Sequence, residues 1–169
     1  MGKVRPGRFT AEHEGDVVVF LIGMRLNRPW KVHKWLPVAT AMPKMLKWLA
    51  EHPHEGLLGA HQALLFGGPA VVQYWRSFED LDRFASNPDA PHLSAWRRYN
   101  RQVGSRSGDV GIWHETYVVP AGRWECVHVN MPATGLPAAT EHVPVGRRGT
   151  TAGRRIGAVT ADEPAVAPT

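Results

Sequence analysis

The chain has 169 residues, 43% of them apolar and 21% charged, with a formal net charge of +5; these are the values of a globular domain and exclude a disordered, collagenous or coiled-coil chain. Its longest apolar stretch, Val17 to Gly23, is far below the roughly 20 residues of a membrane-spanning helix. The basic start, Met1 to Thr10, is not followed by a signal-peptide apolar region, so the sequence predicts a cytoplasmic protein with no membrane partner.

From Asp16 to Gly23 every position after the acid is apolar or glycine, with β-branched residues at Val17, Val18, Val19 and Ile22, which predicts a strand buried on both faces. Met24 to Trp30 reads as a loop on its Asn27 and Pro29. In Lys31 to Glu51, Val32, Trp35, Leu36, Met42, Met45, Leu46 and Leu49 recur at helical spacing, and Pro37 and Pro43 predict two helical pieces or a kink. Glu51 to Gly56 has turn composition. Leu57 to Phe66 reads as a strand, Gly67-Gly68-Pro69 as a hairpin turn and Ala70 to Arg76 as a third strand. Ser77 caps a helix running to about Ala85, with Glu79 and Asp80 favoured by the helix dipole in its first turn. Asn87-Pro88-Asp89 ends it, and His92 to Val103 predicts a further helix with Leu93, Trp96, Tyr99 and Val103 on one stripe. Val110 to Val119 is a strong strand, Pro120-Ala121-Gly122 a turn and Arg123 to Asn130 a fifth strand. After Met131 the large apolar residues thin out, so a single domain is expected over 1–139, with a flexible tail over 140–169.

The order strand, helix, hairpin of two strands, helix, strand is the split β-α-β arrangement of an α+β ferredoxin-like sandwich. Such a sheet carries helices on one face only, whereas these strands are apolar on both. A second copy packed sheet face to sheet face gives a homodimer, the dimeric α+β barrel. In this order Val110 to Val119 is an edge strand, to be covered by Arg123 to Asn130 or by the second subunit. The basic residues do not point to nucleic acid. Lys3, Arg5 and Arg8 precede the domain, Arg147, Arg148, Arg154 and Arg155 follow it, and only Arg97, Arg98, Arg101 and Arg106 cluster within it, with no zinc-finger or base-stacking pattern.

Several phrases together carry a resemblance: Gly23-Met24-Arg25-Leu26-Asn27 with Trp30, His33, Trp35-Leu36-Pro37 and Met42-Pro43; Gln73 to Leu81; Ala95-Trp96 with Asn100; Val110 to Tyr117; and Asn130-Met131-Pro132 with Gly135-Leu136. On these the chain resembles, from about Val4 to Arg155, the monooxygenase-like family named for an enzyme of fumagillin biosynthesis, within the dimeric α+β barrel superfamily. The resemblance implies an oxidoreductase of secondary metabolism. The wider superfamily includes cofactor-independent oxygenases and haem-dependent enzymes such as aldoxime dehydratases and chlorite dismutases, and membership does not select between them.

Cys126 is the only cysteine, which excludes an intrachain disulfide and a multi-thiolate zinc site, while seven tryptophans and nine histidines suit an aromatic or metal-bearing pocket. Strand alternation sets His114 with Ile112, Thr116 and Val118 on one face and Trp113, Glu115 and Tyr117 on the other. The catalytic candidates are therefore His114, Glu115 and Tyr117, with the cavity face left open. Gln73 and Trp75 share a face of the third strand, where Gln73 can bind a substrate oxygen. Arg25, Asn27, Trp30 and His33 follow the first strand and complete the substrate-binding set. His52, His54 and His61 lack an acidic partner at a metal-ligand spacing, so no metal site is expected. The leading expectation is a small oxygenase acting on a hydrophobic, polyketide- or terpenoid-like metabolite without a bound cofactor. His114 or Glu115 would be the base, Arg25, Asn27 or Gln73 the enolate stabiliser, and tryptophan walls would exclude water. The alternatives are a haem enzyme, with His114 or His33 on iron and Arg25 or Arg76 on the propionates, and a non-catalytic binder of an apolar ligand.

Overall fold

The β-branched run at Val17, Val18 and Val19 favours extended backbone, and the strand it starts continues to Leu26, through residues whose composition suggests a loop. The computed structural model describes residues 2–87, 108–158 and 160. Its elements in chain order are β1 (Arg5–Glu12), β2 (Val17–Leu26), α1 (Val32–Ala39), α2 (Ala41–Glu51), β3 (Leu57–Leu65), β4 (Gly68–Trp75), α3 (Phe78–Ser86), β5 (Val110–Val119), β6 (His128–Met131), α4 (Leu136–Ala139), β7 (Glu141–Pro144) and α5 (Ala152–Arg155). The expected helix His92 to Val103 lies outside the described residues.

Strands β3-β4-β2-β5 form a four-stranded antiparallel sheet in that order, the ferredoxin-like α+β arrangement. Strand β2 is central and β5 is at an edge. Even-numbered residues of β2 face the helices. Val18 joins Trp75, Met45 and Leu49 of α2, and Leu81 and Phe84 of α3, in one buried cluster, and Met24 joins Val110 in another, packed by Trp35 and Val38 of α1. The proline-rich segment does divide in two, at Thr40 between α1 and α2. Ser77 caps α3 by accepting from the Asp80 amide at 3.1 Å.

Three expectations need correction. The hairpin turn is Phe66-Gly67, with φ of 52° and 86°, and Leu65 faces Gly68 across it. Two successive positive φ values match the right-handed twist of the flanking strands, and Gly68 and Pro69 already belong to β4. Of the expected fifth strand, Arg123 to Asn130, only the His128 end is a strand, continuing to Met131, and it pairs with β1 rather than with the edge strand β5. The reason lies in Trp124, which turns inward against Ala11, Val17 and Leu136 and stacks under the Arg148 guanidinium at 3.8 Å. Finally, the segment expected to be a tail contains β7, which pairs with β1 opposite Phe9 to Glu12. Position 139 therefore falls in the connection between two strands of a second sheet, β6-β1-β7. The buried Arg155 there reaches Glu125 at 2.9 Å and the carbonyls of Gly149 and Thr150 at 3.1 and 2.8 Å.

This second sheet and α4 cover one end of the face that the helices leave bare, through Val17, Val19, Tyr74 and Val119. The chain thus closes part of the gap that the sequence assigns wholly to a second copy. No helix among the described residues is long and apolar enough to cross a membrane.

Two outcomes follow. Truncation after Ala139 removes β7 and the Arg155 anchor, and calorimetry is expected to show the melting temperature falling by at least about 5 °C. A second concerns Asp80, which is buried; burial pushes its carboxyl up, but Arg76 at 2.7 Å and Arg83 at 2.6 Å outweigh this and hold it below the usual carboxylate range. Its contribution is complete above the unfolded value of about 3.9 and is lost as pH falls through the lower folded value. Asp80→Asn is therefore expected to lower the melting temperature at pH 7 and to flatten the acid limb of the stability curve.

Candidate functional site

Antiparallel register arranges the helix-side face of the large sheet in rows. The first holds Ala60, Gln73, Phe20 and Thr116, the second Gln62, Val71, Ile22 and His114, and the third Leu64, Pro69, Met24 and Ile112. Over the second and third rows, beneath the α1–α2 junction, lies a cavity of about 620 Å³. Ile22, Met24, Val71 and Ile112 form its floor, Val38, Ala39, Met42 and Pro43 its roof, and Leu64 and Gln62 a flank. Gln62 is the one polar lining residue, and no cation, acid or aromatic ring lines the cavity among the described residues. Among the described residues no tryptophan lines the cavity: Trp75 is in the core, Trp113 is on the other face and Trp30 is 72% exposed.

His114 ends the row whose Ile22 and Val71 floor the cavity, and its ring lies 5.8 Å from that of Phe20. It is exposed along the sheet edge. Gln73 and Trp75 occupy the same face and are 1% and 0% exposed. The Trp75 Nε1–H donates to Gln73 Oε1 at 2.9 Å, and Gln73 Nε2 is buried with no partner among the described residues. An orphaned buried donor costs about 1–3 kcal/mol.

The remaining candidates lie elsewhere, because alternation in β5 separates neighbours in sequence onto opposite faces. Glu115 and Tyr117 are on the outer face, joined by a 2.6 Å hydrogen bond from the tyrosine hydroxyl. Arg25, register partner of Gly111, shares that outer face. Asn27 donates to Gly108 O at 3.0 Å, holding the two loops together. His33 is exposed on α1. On the outer face the row His61, Val72, Leu21, Glu115 and the next, Ala63, Ala70, Gly23, Trp113, lie beyond the cover of the small sheet. Gly23 is required there, since a Cβ at that position would sit 2.6 Å from the Trp113 indole. His52 and His61 are engaged separately: His52 Nδ1 lies 2.7 Å from Trp48 O, and His61 Nε2, on β3, 3.2 Å from Gly135 O.

Ile22, Met24, Met42, Val71 and Ile112 are not among the site residues that the sequence names. The run from Val17 is apolar on both faces, so it does not say which face meets which layer.

A family model described as Monooxygenase af470-like matches residues 17–136. Monooxygenase af470 of Aspergillus fumigatus is 28% identical over 125 residues, 69% of this chain and 44% of that protein, so the chain spans less than half of the curated relative's length. Among solved structures, an aldoxime dehydratase in complex with butyraldoxime superposes with a TM-score of 0.59 at 18% identity, covering 78% of this chain and 39% of that one. A dimeric protein of unknown function with a ferredoxin-like fold, from Bacteroides fragilis, superposes with a TM-score of 0.40 at 13% identity over 60% of this chain and 96% of that one.

The outer-face pair has a measurable signature. The hydrogen bond to Glu115, then that carboxylate's charge, then burial raise the Tyr117 hydroxyl above its ordinary value. Tyr117 in ring-labelled protein is expected to titrate above about 10 by NMR, and Glu115→Gln to bring it down.

Proposed function

This chain belongs to the monooxygenase af470-like family, and on that premise we propose that it is a small oxygenase-type enzyme of secondary metabolism acting on a hydrophobic, polyketide- or terpenoid-like metabolite. The observation that carries the reading is the apolar cavity whose floor row ends in His114. An apolar substrate gains by leaving water for a site lined almost wholly by aliphatic and thioether groups. His114 is the titratable side chain on the row of Ile22 and Val71, so it serves as the base that takes a proton from an activated C–H or O–H. The electron-rich anion then reacts with oxygen while the roof of Val38 and Met42 limits water. Glu115, Tyr117 and Arg25, on the outer face, take no part in this scheme.

The haem alternative asks for an axial imidazole and for cations that meet the propionates. His114 offers an imidazole at the cavity margin, outside the lining itself. The described residues do not supply the cations: among them none lines the cavity, Arg25 is on the opposite face and Arg76 is bonded to Asp80. The cofactor-free reading therefore fits these residues better. We further infer a homodimer that packs the uncovered outer strip of Leu21, Val72 and Trp113 against its copy.

With apolar ketones and phenols bearing an activated C–H or O–H, His114→Ala is expected to reduce oxygen uptake about 100-fold or more with the melting temperature unchanged. Glu115→Gln should stay within about twofold, since its side chain is on the far side of the sheet. A fully active His114→Ala protein would remove the histidine from the mechanism.

A further inference from the structure

Gln73 is the one side chain on the cavity face of the sheet that is at once polar, wholly buried and incompletely bonded. Its orientation follows from its neighbour. An indole N–H can only donate, so the Trp75 Nε1–H at 2.9 Å must face the amide oxygen of Gln73. The amide cannot flip without setting donor against donor. The NH2 group is therefore fixed as the free end, carrying two hydrogens and no partner among the described residues. A leucine or methionine would fill this position without an orphan, so the retained amide asks for an explanation.

The surroundings supply one. Gln73 lies on the same strand face as Val71, two residues away and one row beyond the cavity floor, beside Phe20. Two residues of strand span about 6.6 Å, so a ligand needs to extend by little more than one group to reach the amide. Met42 lines the cavity and, with Phe20, also packs against the core cluster holding Trp75. Methionine has an unbranched, flexible side chain that adapts readily to a new neighbour. Gln62, the polar residue of the lining itself, is exposed at the flank and is held by no such bond.

We propose that Gln73 Nε2 is the polar end of the binding site, so that the ligand is an apolar molecule carrying a hydrogen-bond acceptor, a carbonyl or the oxyanion formed from it. The ligand displaces the Met42 side chain to reach this donor, and Trp75 is the positioning residue that aims it. The inference rests on the reading that the cavity is the substrate site and names the class of substrate. A donor fixed in a dry site gains strength as charge develops on the oxygen it meets, and a molecule that offers only donors finds no partner there.

The test uses 2-acetylnaphthalene and its hydrocarbon analogue 2-ethylnaphthalene, with affinities read by ligand-observed NMR and the bound carbonyl stretch by infrared difference spectroscopy. Wild-type protein is expected to prefer the ketone at least tenfold and to lower its carbonyl frequency. Gln73→Leu should abolish both effects while keeping the hydrocarbon affinity. Trp75→Phe should weaken the ketone preference and broaden the carbonyl band without changing hydrocarbon binding, a pattern that loss of packing alone would not give. The frequency shift in wild-type protein needs no variant and stands even if Gln73→Leu fails to fold. If both probes bind equally, with an unshifted carbonyl, and Val71→Phe blocks both, the cavity stands and the role of Gln73 is overturned. If neither probe binds, the cavity reading falls and this inference with it.

Discussion

Strand β2 is held by β4 on one side and β5 on the other in a register that fixes the rest of the site. Ile22 pairs with Val71 and His114, and Phe20 with Gln73 and Thr116. A slip of one residue would carry every side chain to the opposite face, placing His114 on the outer side and Glu115 beside the cavity. Burial on both faces of the strand opposes the slip: Val17 and Val18 are enclosed on opposite faces, one by the small sheet and the other by α2 and α3. Either shift would move a packed valine out of its cluster, so the register is specified by hydrophobic contact from two layers.

The two faces solve different problems with the same strands. On the helix side, packing is dense at the Trp75 end, where α2 and α3 lie close, and open at the Met24 end, where α1 rests on its flank. Helix α1 contains Pro37 and no buried residue, so it roofs the sheet without filling the space beneath, which leaves the cavity. On the outer side, segments from both ends of the chain form the small sheet. Its anchorage is polar as well as apolar: a buried arginine is costly unless its donors are met, and Arg155 has a carboxylate and two carbonyls to meet them.

Polar groups near the cavity are few. The Trp75 indole fixes the Gln73 amide, and the β5 edge presents His114 to solvent next to the cavity floor. The structure thus holds an apolar chamber with a buried amide beyond its floor and an imidazole at its margin. The loops have a structural part in this. Arg28 and Lys31 both meet the buried Asp109 carboxylate, at 2.9 and 3.0 Å, and so fasten the chain after β2 to the chain entering β5.

The sequence by itself determined the described elements from Val17 to Val119 and the edge position of the His114 strand, because β-branched runs, proline breaks and a serine cap are local signals. It also separated His114 from Glu115 and Tyr117, since alternation is a property of any strand. Only the tertiary structure decided which parity met the cavity, because that depends on where α1 and α2 land. The same holds for β1 and β7: Arg5 to Glu12 and Glu141 to Pro144 have little apolar pattern, and they become strands by pairing with each other across the length of the chain. Arg25, Asn27 and Trp30 looked like a binding loop by proximity in sequence, but their positions follow from the extension of β2 and the Asn27 bond to Gly108. Local chemistry names what a residue can do, and the long-range register of the sheet settles what it faces.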